Sequence, residues 1–149
     1  MLIAQMMCLI PMTDTKTTIS PMLAVQGGAK AIEFYKQAFG AEELWRIDAG
    51  GHIVAGLSIE GAYFFLADES PSYGTRSPDS IGSTTVRIEL FVQDPKSVTS
   101  SAVAAGAIEI NPVTEYQHDT IGIQPIKKML QGAIRDPFGH IWLIGRILD

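Results

Sequence analysis

Two stretches of this 149-residue chain repeat each other, and the repeat limits the folds that it can adopt. PMLAVQ (Pro21–Gln26) resembles IELFVQ (Ile88–Gln93), at a separation of 67 residues between their Val-Gln ends. FGAEEL (Phe39–Leu44) resembles AGAIEI (Ala105–Ile110), at a separation of 66 residues between their Gly-Ala pairs. Internal similarity at a nearly constant spacing indicates two copies of one supersecondary unit.

Each copy begins with the pattern strand–helix–strand. Between the paired landmarks, apolar residues recur at helical spacing, and a glycine follows each predicted helix, as is common where helices end. The helix positions are Ile32, Tyr35 and Phe39 with Gly40 in the first copy, and Val98, Ala102 and Ala105 with Gly106 in the second.

Two further strands follow in each copy. HIVAGLSI (52–59) and AYFFLAD (62–68) alternate in the first, with glycine-containing turns before each, and LQGAIR and HIWLIGRI flank a DPFG turn in the second. Each half is therefore predicted to be a βαβββ module. The predicted organisation is a tail over 1–17, a first module over 18–68, a linker over 69–84 and a second module over 85–149.

Composition excludes several classes of partner. Apolar residues make up 46% of the chain, enough for a full core, and the net charge of −5 without a basic run argues against nucleic acid and anionic membranes. The apolar start, MLIAQMMCLIPM, lacks a basic flank and is far shorter than the roughly 20 residues that span a bilayer. One cysteine, Cys8, makes no intrachain disulfide, so a reduced, cytoplasmic protein is expected.

The DPFGH segment near the C-terminus raises the question of whether His140 is a ligand or a structural residue. Asp136, Pro137 and Gly139 fit a type I turn, and His140 leaves that turn at the edge of a strand. Strand alternation places Trp142 in the core, as it does Phe64 in the first copy, and His140 on their side. A structural or rim histidine is predicted. The stretch over 111–128, with two prolines and no clean period, is predicted to be an inserted loop.

Together these motifs resemble the vicinal oxygen chelate superfamily, which includes glyoxalase I, extradiol dioxygenases and the fosfomycin- and bleomycin-resistance proteins. AIEFYKQAFGAEEL, FFLADE, RSPDSIG and RDPFGHIW are most similar to its PhnB-like glyoxalase/bleomycin-resistance branch. The resemblance implies an α+β fold in which two βαβββ modules form a U-shaped mixed β-sheet cavity. It is specific for the fold and not for a reaction, because this fold hosts several chemistries.

The same resemblance assigns four metal-ligand positions, which in relatives carry His, Glu or Gln. Here they are Ser20, Phe65, Arg87 and Leu143, none of which suits a divalent cation. No metal or other cofactor is therefore expected. A second departure is KKML (Lys127–Leu130), where many PhnB-like chains have a Tyr/Trp-Gly-Asp-Arg segment.

Strand alternation predicts which side chains face the cavity and which face the helices. The predicted ligand-binding set is Ser20, Met22, His52, Tyr63, Phe65, Arg87, Glu89, Phe91 and Leu143, while Ile19, Leu23, Val25, Val86 and Ile88 are predicted to face the core. Arg87 could hold a carboxylate or phosphate of the ligand. Glu89 could hold a cationic ligand or act as a general base. Alternatively, Arg87 and Glu89 form a solvent-exposed ion pair that contributes little to stability. Trp45 could face either side.

Four functions remain open at this level. The leading hypothesis is a metal-free homodimer that binds a small molecule in the groove. The second is a lyase, isomerase or dioxygenase with a metal site built from other residues, such as His52, Glu89 and His118. The third is a metal-free catalyst with Glu89 as base and Arg87 as oxyanion stabiliser. The fourth is an interaction module without a cavity.

Overall fold

A computed structural model of the chain describes residues 16–117 and 128–148, and it contains two βαβββ modules. The first module comprises β1 (Met22–Val25), α1 (Gly28–Phe39), β2 (Glu42–Ala49), β3 (His52–Ile59) and β4 (Ala62–Asp68). A linker with a short 3-10 helix (Pro71–Tyr73) and α2 (Pro78–Ile81) follows. The second module comprises β5 (Arg87–Phe91), α3 (Pro95–Ala104), β6 (Ile108–Gln117), β7 (Lys128–Arg135) and β8 (Ile141–Ile147). The two βαβββ modules predicted from the repeat, and the α+β fold that the resemblance implies, are confirmed.

The two modules share one sheet topology. The strand orders are β1-β4-β3-β2 and β5-β8-β7-β6, so the first strand of each module lies beside its last. That pairing is parallel in both sheets, and the remaining neighbours are antiparallel. Among the helices of the described ranges, none is long and apolar enough to cross a membrane.

The start of α1 is fixed by a side chain from the end of β4. One carboxylate oxygen of Asp68 accepts hydrogen bonds from the peptide N–H groups of Gly27 (3.0 Å) and Gly28 (2.7 Å), and the other accepts one from Ile53 N (2.8 Å). The bonds from Gly27 and Gly28 satisfy donors that a helix N-terminus leaves unpaired, and the bond from Ile53 holds β3 beside it. Position 28 also needs glycine, because an added Cβ would lie 2.8 Å from Ile53 Cβ.

The core lies where α1 and α3 pack together and cover one face of each sheet. Its centre is an aromatic cluster from both modules. Trp142 is 1% exposed and Phe64 is 4% exposed, with ring centroids 5.7 Å apart, which confirms the predicted core positions. The other members of the cluster are Phe34, Tyr35, Phe39 and Phe138.

A buried carboxylate, Asp136, organises the polar groups inside this cluster. Its Oδ2 accepts hydrogen bonds from Tyr35 Oη (2.6 Å) and Trp142 Nε1 (2.9 Å). Its Oδ1 accepts from the peptide N–H groups of Phe138 and His140, both at 2.9 Å. Burial, with the neighbouring Asp136 carboxylate, raises the pKa of Tyr35 well above its ordinary value, so the phenol stays a donor. The network ties α1 of the first module to the DPFG turn of the second.

His140 is a structural residue at the boundary between the modules. Its side chain is 8% exposed, and its Nε2 donates a hydrogen bond to the carbonyl oxygen of Ala24 in β1 at 2.8 Å. The preceding Gly139 has φ +91°, and an added Cβ would lie 2.5 Å from the peptide nitrogen of Asp79 in the linker. The turn thus contacts the linker closely, and His140 bonds the edge strand of the first sheet.

The linker is fixed to the first module by Glu69. Its carboxylate accepts hydrogen bonds from Ser77 N (2.7 Å), Gln26 Nε2 (2.9 Å) and Ser80 Oγ (2.7 Å). The Ser77 peptide N–H, with the Gln26 and Ser80 side chains, lowers the pKa of Glu69 to about 2. The linker is therefore an ordered connection between the modules.

Three sequence predictions about the strands are wrong. Ile19 is 96% exposed and Val86 is 63% exposed, although both were predicted to face the core, because they precede β1 and β5 and have no sheet around them. The predicted loop over 111–128 is strand as far as Gln117. β6 is an edge strand whose register shifts around Pro112, and edge strands with bulges tolerate proline. Residues 118–127, like the tail over 1–15, lie outside the described residues.

Replacing the buried carboxylate should destabilise the fold. We expect Asp136→Ala to lower the free energy of unfolding by about 3 kcal/mol or more, because it leaves two side-chain donors and two peptide donors buried without an acceptor. Urea unfolding followed by circular dichroism measures this. Tyr35→Phe is the matched control, since it removes one of the four bonds and should cost only about 1–2 kcal/mol. Equal losses in the two variants would contradict the central role of Asp136.

Candidate functional site

The open face of the first sheet, opposite the helices, exposes large apolar side chains. Met22 is 60% exposed, Tyr63 57% and Trp45 41%, while Phe65 is half-buried beside them. Single exposed apolar residues are common on protein surfaces, but a contiguous group on one sheet face is typical of a binding surface.

Three of these side chains form one row across the sheet together with Gly56. Trp45 pairs with Gly56, Gly56 with Phe65, and Phe65 with Met22, so that β2, β3, β4 and β1 each contribute one residue. Cross-strand partners share a face of the sheet. The row Trp45–Gly56–Phe65–Met22 is called the aromatic platform below.

The geometry of the aromatic platform depends on Gly56. The Trp45 indole lies directly over this glycine, because a Cβ added there would be 2.5 Å from Trp45 Nε1 and 2.7 Å from Cε2. The Trp45 and Phe65 rings have centroids 5.9 Å apart and planes inclined by 32°. The orientation of Trp45, left open by the sequence, is thus settled: it faces the open side. Gly56 was the available signal, since glycine inside a strand often marks a close approach.

The open face of the second sheet carries the predicted charged groups. Arg87, Glu89 and Phe91 are exposed and alternate along β5, while Leu143 is half-buried beside Glu89 on β8. Glu89 does not pair with Arg87: its Oε1 accepts a hydrogen bond from Gln131 Nε2 at 2.9 Å. Sequence reasoning missed Gln131 because strand alternation alone does not give the register between β7 and β8.

A second arginine lies on the same face as Arg87. Ile141 pairs with Arg87 on one side and with Arg135 on the other, which puts the two guanidinium groups on one face, two strands apart. Both arginines are exposed. Two cations flanking an isoleucine suit an anionic group above an apolar surface.

The other predicted site residues lie apart from these two faces or at their margins. His52 is exposed at the β2–β3 turn, where it pairs with Ala49. Ser20 is half-buried and precedes β1. Ser58, the β3 residue that pairs with Tyr63, is 6% exposed, and its hydroxyl accepts a hydrogen bond from Gly61 N at 3.0 Å, so it stabilises the β3–β4 turn.

The four positions that correspond to metal ligands do not fit a divalent cation. A serine hydroxyl, a phenyl ring, a guanidinium and an isobutyl group stand at Ser20, Phe65, Arg87 and Leu143, and none of the last three donates an electron pair to a metal. Over the described ranges 16–117 and 128–148, no three His, Cys, Asp or Glu side chains are grouped as metal ligands would be. His118, part of the alternative ligand set, lies outside them.

A cleft at the end of the second open face is lined by residues of both modules. It has a volume of about 340 Å³ and lies between Phe91 and Ile147 of the second module and Glu60 in the β3–β4 turn of the first. Arg146 also lines it and donates a hydrogen bond to the Gln93 carbonyl oxygen at 3.1 Å. Of the predicted site residues, Phe91 contributes to this cleft.

The paired modules and their open sheet faces can now be compared with known proteins. Residues 18–144 match the profile of the Glyoxalase/Bleomycin resistance protein/Dioxygenase superfamily. The chain belongs to this superfamily. A Mycobacterium bovis protein, described only as uncharacterized, is 36% identical over 138 residues, which cover 89% of this chain and 85% of that protein. An uncharacterized protein of Arabidopsis thaliana is 29% identical over 140 residues, covering 85% and 77%.

Solved structures share the fold of this superfamily member. TioX from Micromonospora sp. ML1 is 22% identical with a TM-score of 0.62, and the match covers 89% of this chain and 98% of TioX. The fosfomycin resistance protein FosX from Listeria monocytogenes is 14% identical with a TM-score of 0.63, covering 91% and 96%. At these identities the likeness concerns the fold alone.

A side chain at Gly56 should displace Trp45. We expect Gly56→Ala to push the indole off the sheet, because its Cβ would overlap the ring, and to shift the emission of Trp45 to longer wavelength as the ring enters water. Trp45→Ala/Gly56→Ala is the matched control, since removing the indole removes the overlap and should restore the thermal stability lost in the single variant. Unchanged emission in Gly56→Ala would contradict this geometry.

Proposed function

We propose that this protein binds a small, largely apolar molecule in a groove between the open faces of its two βαβββ modules, without a divalent metal. We propose further that it is a cytoplasmic homodimer of the PhnB-like branch of the superfamily, with no nucleic-acid or membrane partner. The observation that carries the proposal is the aromatic platform.

The aromatic platform supports binding because it is preformed and because its exposed rings are not covered by any segment within 16–117 or 128–148. A flat indole held over Gly56 beside Phe65 offers a rigid stacking surface, and Met22 extends it with a polarizable side chain. Aromatic anchors of this kind lose little conformational entropy when they bind a ligand. Small-molecule sites are mostly apolar with a few fixed polar groups.

The second open face would supply those polar groups. Arg87 and Arg135 offer two guanidinium groups for an anionic part of the ligand, and Glu89, oriented by Gln131, offers an acceptor. Tyr63, Phe91 and Leu143 would add apolar contacts, with Ser20 and His52 at the margin. The proposal thus expects a ligand with a planar or apolar body and a small polar group.

The homodimer is proposed because both open faces expose apolar side chains in the single chain. Ile47 and Tyr63 on the first sheet are each more than half exposed, and Ile147 on the second is 41% exposed. Pairing of two chains would cover these side chains and deepen the groove. The metal-free state is proposed because Ser20, Phe65, Arg87 and Leu143 do not fit a cation.

Fluorescence of Trp45 tests ligand binding directly. The chain has two tryptophans, and Trp142 is buried, so a ligand on the platform should quench Trp45 selectively. Titration with planar aromatic carboxylates, which combine a stacking ring with an anionic group for Arg87 and Arg135, should give saturable quenching. Trp45→Ala should weaken the Kd about tenfold or more, as truncation of an aromatic hot spot does.

Tyr73→Ala is the control for that titration, since this linker aromatic is 89% exposed and is not part of the platform. If no compound quenches Trp45, or if Tyr73→Ala weakens binding as much as Trp45→Ala, the platform is not the site. Elemental analysis and sedimentation equilibrium of the same preparation test the other two parts. Stoichiometric metal or a monomer would overturn them.

A metal-free acid–base catalyst is the second candidate, favoured by the held orientation of Glu89 above Leu143 and near Arg87. If the protein is such a catalyst, a compound that binds should be converted to a product, and proton NMR of the compound follows that conversion. Glu89→Gln should then lower turnover by about 100-fold or more with the Kd unchanged. Gln131→Leu, which removes only the orienting bond, should lower it less. Recovery of every bound compound unaltered would exclude this candidate.

A further inference from the structure

A cleft of about 460 Å³ lies along the seam between the two modules. Its walls come from the start of β1, the residues that lead into β5, and the linker that crosses between them. Ala24, Ile81, Val86 and Ile88 supply much of its apolar wall. It is called the seam cleft below.

The seam cleft is separate from the two open sheet faces. Phe65, Arg87, Glu89 and Leu143 are not among its lining residues, and Met22 contributes to both regions. The floor includes His140, whose Nε2 is already committed to the Ala24 carbonyl oxygen. Polar recognition of a ligand therefore has to come from the wall that the linker forms.

Arg76 supplies that recognition. Its guanidinium lies in the linker wall, is exposed, and has no hydrogen bond or ion pair with the described residues. The lining residues include no carboxylate, although the chain carries a net charge of −5. An acidic protein thus places one unpaired cation and no anion around an apolar cleft. This asymmetry favours an anionic ligand with an apolar body.

Hydroxyl groups near Arg76 complete the polar wall. Ser83 and Thr85 line the cleft and are exposed, and neither has a hydrogen-bond partner in the described part of the chain. A planar guanidinium binds a carboxylate through two parallel hydrogen bonds, and one guanidinium matches the single charge of that group. A hydroxyl can donate a further bond to the same oxygen atoms.

We propose that the seam cleft binds an amphipathic monocarboxylate, with its carboxylate on Arg76 and its aliphatic chain between Val86, Ile88 and Ala24. This site is additional to the proposed groove and does not depend on it. Because both modules and the linker line the cleft, the ligand contacts all three parts of the folded chain. Binding therefore stabilises the folded state, by an amount that rises with the logarithm of the ligand concentration once this exceeds Kd.

Decanoate is a direct probe, with decanol and decyltrimethylammonium as neutral and cationic probes of the same chain length. We expect isothermal titration calorimetry of the full chain, below micelle concentrations, to show one decanoate per chain and a raised melting temperature. Decanol should bind at least tenfold more weakly because it lacks the charge-assisted pair. Decyltrimethylammonium should bind more weakly still.

Two variants locate the probe. Arg76→Gln should weaken decanoate binding about tenfold or more, and Val86→Trp, which fills the cleft from an exposed position, should abolish it. Arg46→Gln, at an arginine that pairs with Glu43 and lines neither the seam cleft nor the proposed groove, is the matched control and should leave decanoate affinity unchanged. Arg87→Gln is measured beside it to detect decanoate on the open sheet faces, and circular dichroism checks the fold of each variant. Decanoate bound in the seam cleft should leave Trp45 emission unchanged, because Trp45 does not line the cleft.

Three results would overturn the proposal: no decanoate binding, equal affinity for decanoate and decanol, or unchanged affinity in Arg76→Gln. Weakening by Arg87→Gln instead would move the anion to the open sheet faces and would support the groove while removing the seam site. Failure of planar aromatic carboxylates to quench Trp45, with decanoate still bound through Arg76, would remove the groove and leave the seam site standing.

Discussion

The hydrogen bonds to the buried carboxylate of Asp136 are the interaction on which the arrangement of the two modules depends. A carboxylate inside an aromatic cluster is costly unless its oxygen atoms are fully paired. Here the donors come from α1 of the first module, through Tyr35, and from the turn and β8 of the second, through two peptide N–H groups and Trp142. The hydrogen bonds that satisfy the Asp136 carboxylate fix the DPFG turn. The turn then positions His140, whose side chain bonds Ala24 of β1.

The same topology supports two different open faces. In the first sheet a glycine, Gly56, lets Trp45 lie flat beside Phe65, which makes a stacking surface. In the second sheet, the equivalent side carries Arg87 and Arg135, with neutral groups between them. One duplicated unit thus provides an apolar half and a polar half, and a ligand that contacts both would be recognised by shape and by charge.

Much of the fold could be predicted from the sequence, whereas the site could be predicted only in part. The repeat and the apolar spacing gave the βαβββ order, because each strand and helix carries its own period. The same spacing gave a wrong prediction for Ile19 and Val86, because alternation of apolar residues does not show where pairing with the neighbouring strand begins. Gln131 and Arg135 were not predicted as site residues. Their positions beside Glu89 and Arg87 depend on the registers of β7 and β8, which the sequence pattern does not give.

The sequence by itself determined the duplication, the two-module α+β fold, the core positions of Phe64 and Trp142, and the poor match of four positions to metal ligands. The first three properties follow from local pattern, and the fourth from the family resemblance together with side-chain chemistry. The tertiary structure alone decided that Trp45 faces outward over Gly56, that Glu89 bonds Gln131, and that the linker closes a cleft with Arg76 on its wall. These are relations between segments far apart in the chain, and only the pairing of strands and packing of modules brings them together.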